Sequence, residues 1–248
     1  MQFWHVLKSR AMATQASSIA ANLERITEKI AGAAKRAGRR TDEVTIVAVS
    51  KTFPAAMIRA AYEAGLRHFG ENRIQEFEAK HGAVAGLSDS IWHFIGHLQS
   101  NKVHRAVHLF DRIDSVDNTA LARKLDPARA TEDRKLAVLI EVRLSEEETK
   151  SGIREGELPL LAERIRKLPH LELCGLMTIP PYTSDPQNAR PYFRKLCELR
   201  DGLCRQLGLA LPVLSMGMSH DFEIAIEEGA TEIRMGTALF GERARTNP

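Results

Sequence analysis

Two hydrophobic rhythms take turns along this chain. Over 17–36, Ile19, Leu23, Ile26 and Ile30 recur at three- and four-residue steps, the spacing of one helix face. Ser17 or Ser18 is placed to cap that helix, and Gly38 with Arg39 and Arg40 ends it. The run at 44–50, VTIVAVS, is β-branched and almost free of polar interruption. That pattern predicts a strand buried on both faces, as in a parallel sheet. The same pair of signals then repeats. Strand-like runs lie at 67–71, 91–96, 112–117, 135–144, 171–179, 213–218 and 232–235. Helix-like segments fall between them at 54–64, 72–80, 100–108, 118–128, 155–167, 187–207 and 221–228. Pro54 suits a first helical turn, Asp117 or Asn118 an N-cap, and Gly208 and Gly229 helix ends.

Strands that alternate with helices mean βαβ units and a parallel sheet. Eight such units in about 200 residues match the number and the compact size of a closed barrel. The expected fold is therefore α/β, a single (β/α)8 TIM barrel with an extra N-terminal helix. An open doubly wound sheet is the competitor, which the count alone does not exclude. No Pro/Gly/Ser linker or low-complexity tract divides the chain, so 15–248 reads as one domain. Residues 1–14 are set aside as an extension expected to be disordered, with Met12 as a more conventional start.

Composition narrows the functions. Against 32 Asp plus Glu stand 35 Lys plus Arg, a formal net charge of +3, which gives no broad basic field for nucleic acid. No run of about 18 apolar residues occurs, so no membrane span is expected. Cys174, Cys197 and Cys204 form no CxxC and cannot all pair. They read as thiols in a reducing compartment, and the expected location is cytoplasmic.

In a barrel of this kind the working residues sit at the carboxyl ends of strands. That rule selects Lys51, Asn72, His97, Arg143, Met177, Ser219, Arg234, Gly236 and Thr237. Lys51 ends the apolar strand VTIVAVS and should point into the barrel mouth. A free lysine, with a pKa of about 10.4, is protonated and not nucleophilic at neutral pH. Desolvation and neighbouring cations lower that value, which is how Schiff-base lysines become reactive. The competing reading is a lysine snorkelling out of a strand end. A second constellation lies near the end of the chain, where Gly217 and Ser219 stand at the end of strand seven and Gly236 and Thr237 at the end of strand eight. Barrels often bind phosphate there, using backbone N–H groups, close approach at glycine and hydroxyl donors. A phosphate site opposite a lysine suits an aldehyde phosphate, although glycines at strand ends also make ordinary turns.

Other motifs carry less. His93, His97, His104 and His108 are not expected to bind metal, because no carboxylates or thiols complete a site around them. Trp92 and Phe94 read as core packing around His93. The run Ser219-His220-Asp221 is not a triad, since triad groups must meet in space. Asp221 reads as the N-cap of the next helix, and Glu146-Glu147-Glu148 as a solvated loop face.

The residues resemble a known family, the pyridoxal 5′-phosphate (PLP) homeostasis proteins, or YggS/PROSC family of alanine racemase-like barrels. The motifs are VAVSKTFP around Lys51, FGENRIQE around Asn72, WHFIGHLQSNK around His97, KSGI at 150–153, GLMTIPPY at 175–182, SMGMSHDFEIAI and IRMGTALFG. The resemblance implies a PLP-binding protein that holds PLP on Lys51 as an internal aldimine. It implies phosphate contacts from Ser219, Gly236 and Thr237, and Arg234 facing the pyridine nitrogen. Asn72, His97 and Met216 would line the pocket. A cationic arginine disfavours protonation of that nitrogen and weakens the ring as an electron sink. The related racemases follow their barrel with a second β domain that brings an opposing tyrosine base. This chain is expected to lack that domain, and Lys51 alone serves one face. The expected function is PLP (vitamin B6) and amino-acid homeostasis without a second catalytic base. The expected state is a monomer, with PLP-dependent apo-enzymes as partners. A weak racemase-type enzyme is the alternative, and a cofactor-free Schiff-base aldolase a third reading.

Overall fold

The computed structural model describes residues 2–145 and 151–242, with side chains from residue 18 onward. Glu146, Glu147, Glu148 and Lys150, the loop face and the start of the KSGI motif, lie outside the described residues. Eight parallel strands close into a barrel in chain order. They are β1 (Thr45–Val49), β2 (His68–Glu71), β3 (Ile91–Phe94), β4 (Arg112–Val116), β5 (Leu136–Glu141), β6 (Leu171–Met177), β7 (Val213–Met218) and β8 (Glu232–Met235). Val47 lies opposite His68 on one side and Arg234 on the other, so β1 joins β2 to β8 and no edge is left. Closure decides against the open sheet.

The helices are α1 (Gln2–Arg36), α2 (Ala55–Glu63), α3 (Ile74–Val84), α4 (Val103–Leu109), α5 (Thr119–Arg129), α6 (Leu158–Ile165), α7 (Arg190–Leu207), α8 (Phe222–Glu227) and α9 (Thr237–Phe240). Several local signals act as expected. Asn118 Oδ1 accepts from Leu121 N–H at 2.7 Å, and Gly208 and Gly229 take φ of 62° and 98°. Others differ. α1 does not start at Ser17 or Ser18 but reaches back to Gln2, within the segment set aside as an extension, where neither Pro nor Gly interrupts the helix. Pro54 takes the N-cap position rather than the first turn. The four-residue α9 was not anticipated.

Period-2 alternation separates two interiors. Outward strand residues build an apolar layer under the helices, where Phe77 lies against Trp92 and Phe110 with centroids 4.5 and 5.0 Å apart. Trp92 and Phe94 belong to that layer, as read from the sequence. The barrel's own interior is ionic near its amino-terminal end. Arg112 donates to Asp114 (Nε–Oδ1 2.6 Å) and to Glu232 (Nη1–Oε1 2.7 Å). His93 Nδ1 lies 3.4 Å from Asp114 Oδ2, and its Nε2 lies 2.9 Å from His68 Nδ1. The partners make this tolerable, since an unpaired charge could not stay there. Burial alone would raise the Asp114 pKa, but Arg112 and then His93 hold that carboxyl well below the usual range. Burial, then His93, pushes His68 down to about 4.

Contrary to expectation, then, carboxylates do gather around His93. Ligand atoms of His93, Asp114 and Glu232 lie within 4.8 Å of one another. The Arg112 guanidinium already engages both carboxylates, which makes the group an ion network. Among the described residues no helix is long and apolar enough to cross a membrane. Cys174, Cys197 and Cys204 are half-buried and unpaired.

Candidate functional site

Parity along β1 aims the key lysine. Val47 and Val49 are buried, Val49 lines a cavity at the carboxyl end of the barrel, and Lys51 follows on the same face. The cavity has a volume of about 590 Å³. Lys51, Asn72, His97, Ser219, Arg234, Gly236 and Thr237 all reach its wall, as does Arg143. Seven residues expected to bind the cofactor thus come together from five strand ends. The two methionines do not. Met216 is buried in the apolar layer and Met177 is likewise fully enclosed, neither lining the cavity.

Lys51 sits in an unusual turn. Thr52 has φ +69°, the one non-glycine residue with positive φ among those described. For a β-branched side chain that conformation is strained by on the order of 1–3 kcal/mol. Several groups hold the turn. Phe53 N–H donates to Ser50 O at 3.1 Å, and Thr52 N–H donates to Glu76 Oε1 from α3. Lys80, also on α3, directs its ammonium at Ser50 O (3.0 Å), Phe53 O (3.3 Å), Glu76 Oε1 (3.1 Å) and Glu71 Oε1 (2.8 Å). Ser50 Oγ donates to the same Glu71 oxygen at 2.6 Å. Burial raises the Glu71 pKa and Lys80 opposes that shift.

The loops after β7 and β8 form the neighbouring wall. Because the barrel closes, β8 pairs directly with β1, so these loops flank Lys51 rather than facing it across the mouth. Gly217 takes φ +88°, and a Cβ there would stand 2.5 Å from Ala225 Cβ. The β7–β8 register shifts over the same residues, which turns Met218 toward the cavity and leaves Met216 behind in the core. Asp221 does not cap α8 with its side chain. Its Oδ1 accepts from Met218 N–H at 2.6 Å and closes the loop instead. His220 Nε2 lies 3.1 Å from Thr183 O, so Ser219, His220 and Asp221 take separate partners. Ser219 Oγ accepts from Ala238 N–H at 3.2 Å, joining the β7 loop to the first turn of α9.

Arg234 is buried beneath these loops. It donates to Ser215 O and Oγ, both at 2.8 Å, and to Thr178 O at 2.9 Å. Burial lowers its pKa from the usual arginine value, an effect opposed by Asp114 and Glu141. Glu141 itself, at the end of β5, lines the cavity and is 6% exposed. Burial, then Asp117, pushes its carboxyl up to about 7, against the pull of Arg234. His97 Nδ1 lies 3.5 Å from Asp117 Oδ2 at the rim. Gly96, beside His97, has a Cβ position 2.5 Å from Asn72 O, so only glycine lets the β3 end pass so near Asn72.

The strand-end rule missed Glu141 by two residues and chose Arg143. The apolar run reads on to Leu144, whereas the strand stops at Glu141 and Val142 makes only an isolated bridge with Ile153. Parity counted from the buried core would have found it.

The residues fit PLP. An amine, two hydroxyls, backbone N–H groups at a short helix, a deep cation and a cavity of about 590 Å³ match an aldehyde on a phosphate-bearing aromatic ring. Comparison with known proteins agrees in kind. A family model described as "Alanine racemase, N-terminal domain" matches residues 21–244. A pyridoxal phosphate homeostasis protein of Aquifex aeolicus (strain VF5) is 49% identical over 221 residues, 89% of this chain and 96% of that one. One from Escherichia coli (strain K12) is 42% identical over 92% of this chain and 97% of its own length. PipY of Synechococcus elongatus, solved with PLP bound, superposes with a TM-score of 0.80 at 38% identity, covering 90% of this chain and 100% of PipY. The chain belongs to the pyridoxal phosphate homeostasis proteins, within the family of the alanine racemase N-terminal domain.

Proposed function

We propose that this protein carries PLP covalently on Lys51 and keeps the reactive aldehyde sequestered yet available, serving intracellular PLP (vitamin B6) and amino-acid homeostasis. The observation that carries the reading is that Lys51 shares one cavity with Ser219, Gly236 and Thr237. PLP supplies an aldehyde that condenses with an amine and a ring that withdraws electrons from the attached carbon. Ser219, Thr237 and the backbone around Gly236 bind its phosphate. Arg234 meets the ring nitrogen with a positive charge and disfavours a proton there. Asn72 and His97 bound the ring from the β2 and β3 ends. Apo-enzymes that need PLP are the partners.

Lys51→Ala tests this directly. Wild-type protein mixed with PLP should turn yellow, and borohydride should fix the mass of PLP on the peptide containing Lys51. Lys51→Ala should keep the wild-type melting behaviour and lose the absorbance band. A variant that still traps PLP at another lysine would refute the assignment.

A second reading, slow proton transfer at the α-carbon of an amino acid, is favoured by one observation. Glu141 shares the cavity from β5, the strand across the closed barrel from β1. A carboxyl that takes or gives a proton near neutral pH then stands opposite the amine. Deuterium exchange from solvent into a free amino acid, lost in both Lys51→Ala and Glu141→Gln, would support it. Exchange that survives Glu141→Gln would dismiss it.

A further inference from the structure

We propose that Lys80 is a positioning residue for Lys51: with Glu76 it clamps the left-handed turn at Thr52 and so aims Lys51 into the cavity. The inference rests on the reading of Lys51 as the attachment point for PLP. Its starting observation is the turn itself. A threonine at φ +69° persists only where its surroundings over-determine it. The single backbone bond from Phe53 N–H to Ser50 O, 3.1 Å, spans the turn without fixing its hand.

The clamp supplies what is missing. Lys80 Nζ reaches Ser50 O at 3.0 Å and Phe53 O at 3.3 Å, the carbonyls that bracket Lys51 and Thr52. Glu76 Oε1 accepts the Thr52 N–H and lies 3.1 Å from the same ammonium. One cation and one carboxylate, an i,i+4 pair on α3, thus hold three backbone groups of the four-residue turn.

The arrangement also keeps two nearby lysines in different roles. An ammonium has three N–H donors. Four oxygens, from Ser50, Phe53, Glu71 and Glu76, lie within 3.3 Å of Lys80 Nζ, whose side chain is 11% exposed. All its donors are engaged on the turn and on Glu71, so Lys80 is held away from an aldehyde, while the chain it grips presents Lys51.

A plain alternative is that Lys80 only neutralises buried Glu71 and so stabilises the fold. Thr52→Gly separates the two, since glycine adopts positive φ without a clamp. Lys80→Met and Glu76→Ala would be prepared as apo-protein, each alone and combined with Thr52→Gly. PLP uptake would be followed by absorbance titration and fold stability by melting. We expect each single variant to weaken PLP uptake about tenfold. Thr52→Gly should restore most of that loss without restoring the melting temperature of Lys80→Met. Unchanged uptake in both single variants overturns the proposal, as does a loss that Thr52→Gly leaves in place. Should Lys80→Met fail to fold, Glu76→Ala carries the test, because it leaves the Lys80–Glu71 contact intact. If wild-type protein itself takes up no PLP, the attachment reading fails. The crystal structure of Glu76→Ala then judges the clamp, and an unmoved Lys51 with Thr52 still at positive φ refutes it.

Discussion

Glu141 stands among charges that pull its proton in opposite directions. Burial and Asp117 favour the neutral acid, while Arg234 favours the carboxylate. The folded pKa of about 7 exceeds the ordinary 4.5, so the folded state holds this proton more tightly than the unfolded chain does. Stability drawn from it is full below about pH 4.5 and drains away as pH rises through about 7. At about 1.4 kcal/mol per pKa unit the ceiling is about 3 kcal/mol. Glu141→Gln stays neutral throughout. In the apo-protein its stability relative to wild type should climb by up to about 3 kcal/mol across that window and level off above it. Urea unfolding at several pH values measures the difference. A gap that is flat from pH 4 to 8 would show that Glu141 ionises normally.

Individual elements explain what a reader of the sequence could see. β1 was legible because VTIVAV has no polar break, and period-2 counting carries the inward face on to Lys51. Asn118 and Gly208 declared their helix ends through local bonding and backbone hand. Elements set by distant partners stayed hidden. The clamp on the Lys51 turn joins the ends of β1 and β2 to α3, and nothing local marks Lys80 as its centre. Met216, expected in the pocket from the family resemblance, lies in the apolar layer, and Met218 lines the cavity instead because the strand shifts register around Gly217. That turn supports a prediction at the same scale. Gly217→Ala combines a left-handed backbone with a Cβ 2.5 Å from Ala225 Cβ and 3.0 Å from Phe222 Cα. Strain and overpacking together should cost about 2 kcal/mol or more. Because α8 must retreat, Ser219 should move with it and PLP titration should weaken as well. Wild-type stability and affinity in Gly217→Ala would show that the tight β7–α8 turn is dispensable.

Across the whole molecule the barrel divides into a reactive end and an ionic floor. The floor joins strands distant in sequence, since Arg112 on β4 meets Glu232 on β8 while β3 and β2 add His93 and His68. α1 closes the seam from outside. Asn22 Nδ2 donates to Leu239 O in α9 at 2.8 Å, and Arg36 reaches Glu227 on α8. Since the floor lies at the amino-terminal end, away from the cavity, its contribution should register as stability. Arg112→Met keeps the volume of the side chain but leaves Asp114 and Glu232 facing each other without a cation. Breaking one partner out of a buried network costs about 3–5 kcal/mol, most of it the uncompensated charge left behind. Adding Asp114→Asn and Glu232→Gln removes those charges and should recover the greater part of the loss. The acid arm gives an independent check. The Asp114 pKa is held well below its ordinary 3.8, so the stability it lends is present above that value and lost as pH falls below it. Without Arg112 that support is gone, and the deficit of the single variant should shrink on acidification as the carboxylates take up protons. Denaturant unfolding of the single and triple variants at neutral and acidic pH reads both effects. A triple variant no more stable than Arg112→Met would mean that Arg112 contributes by packing, and the floor would then not be held by its charges.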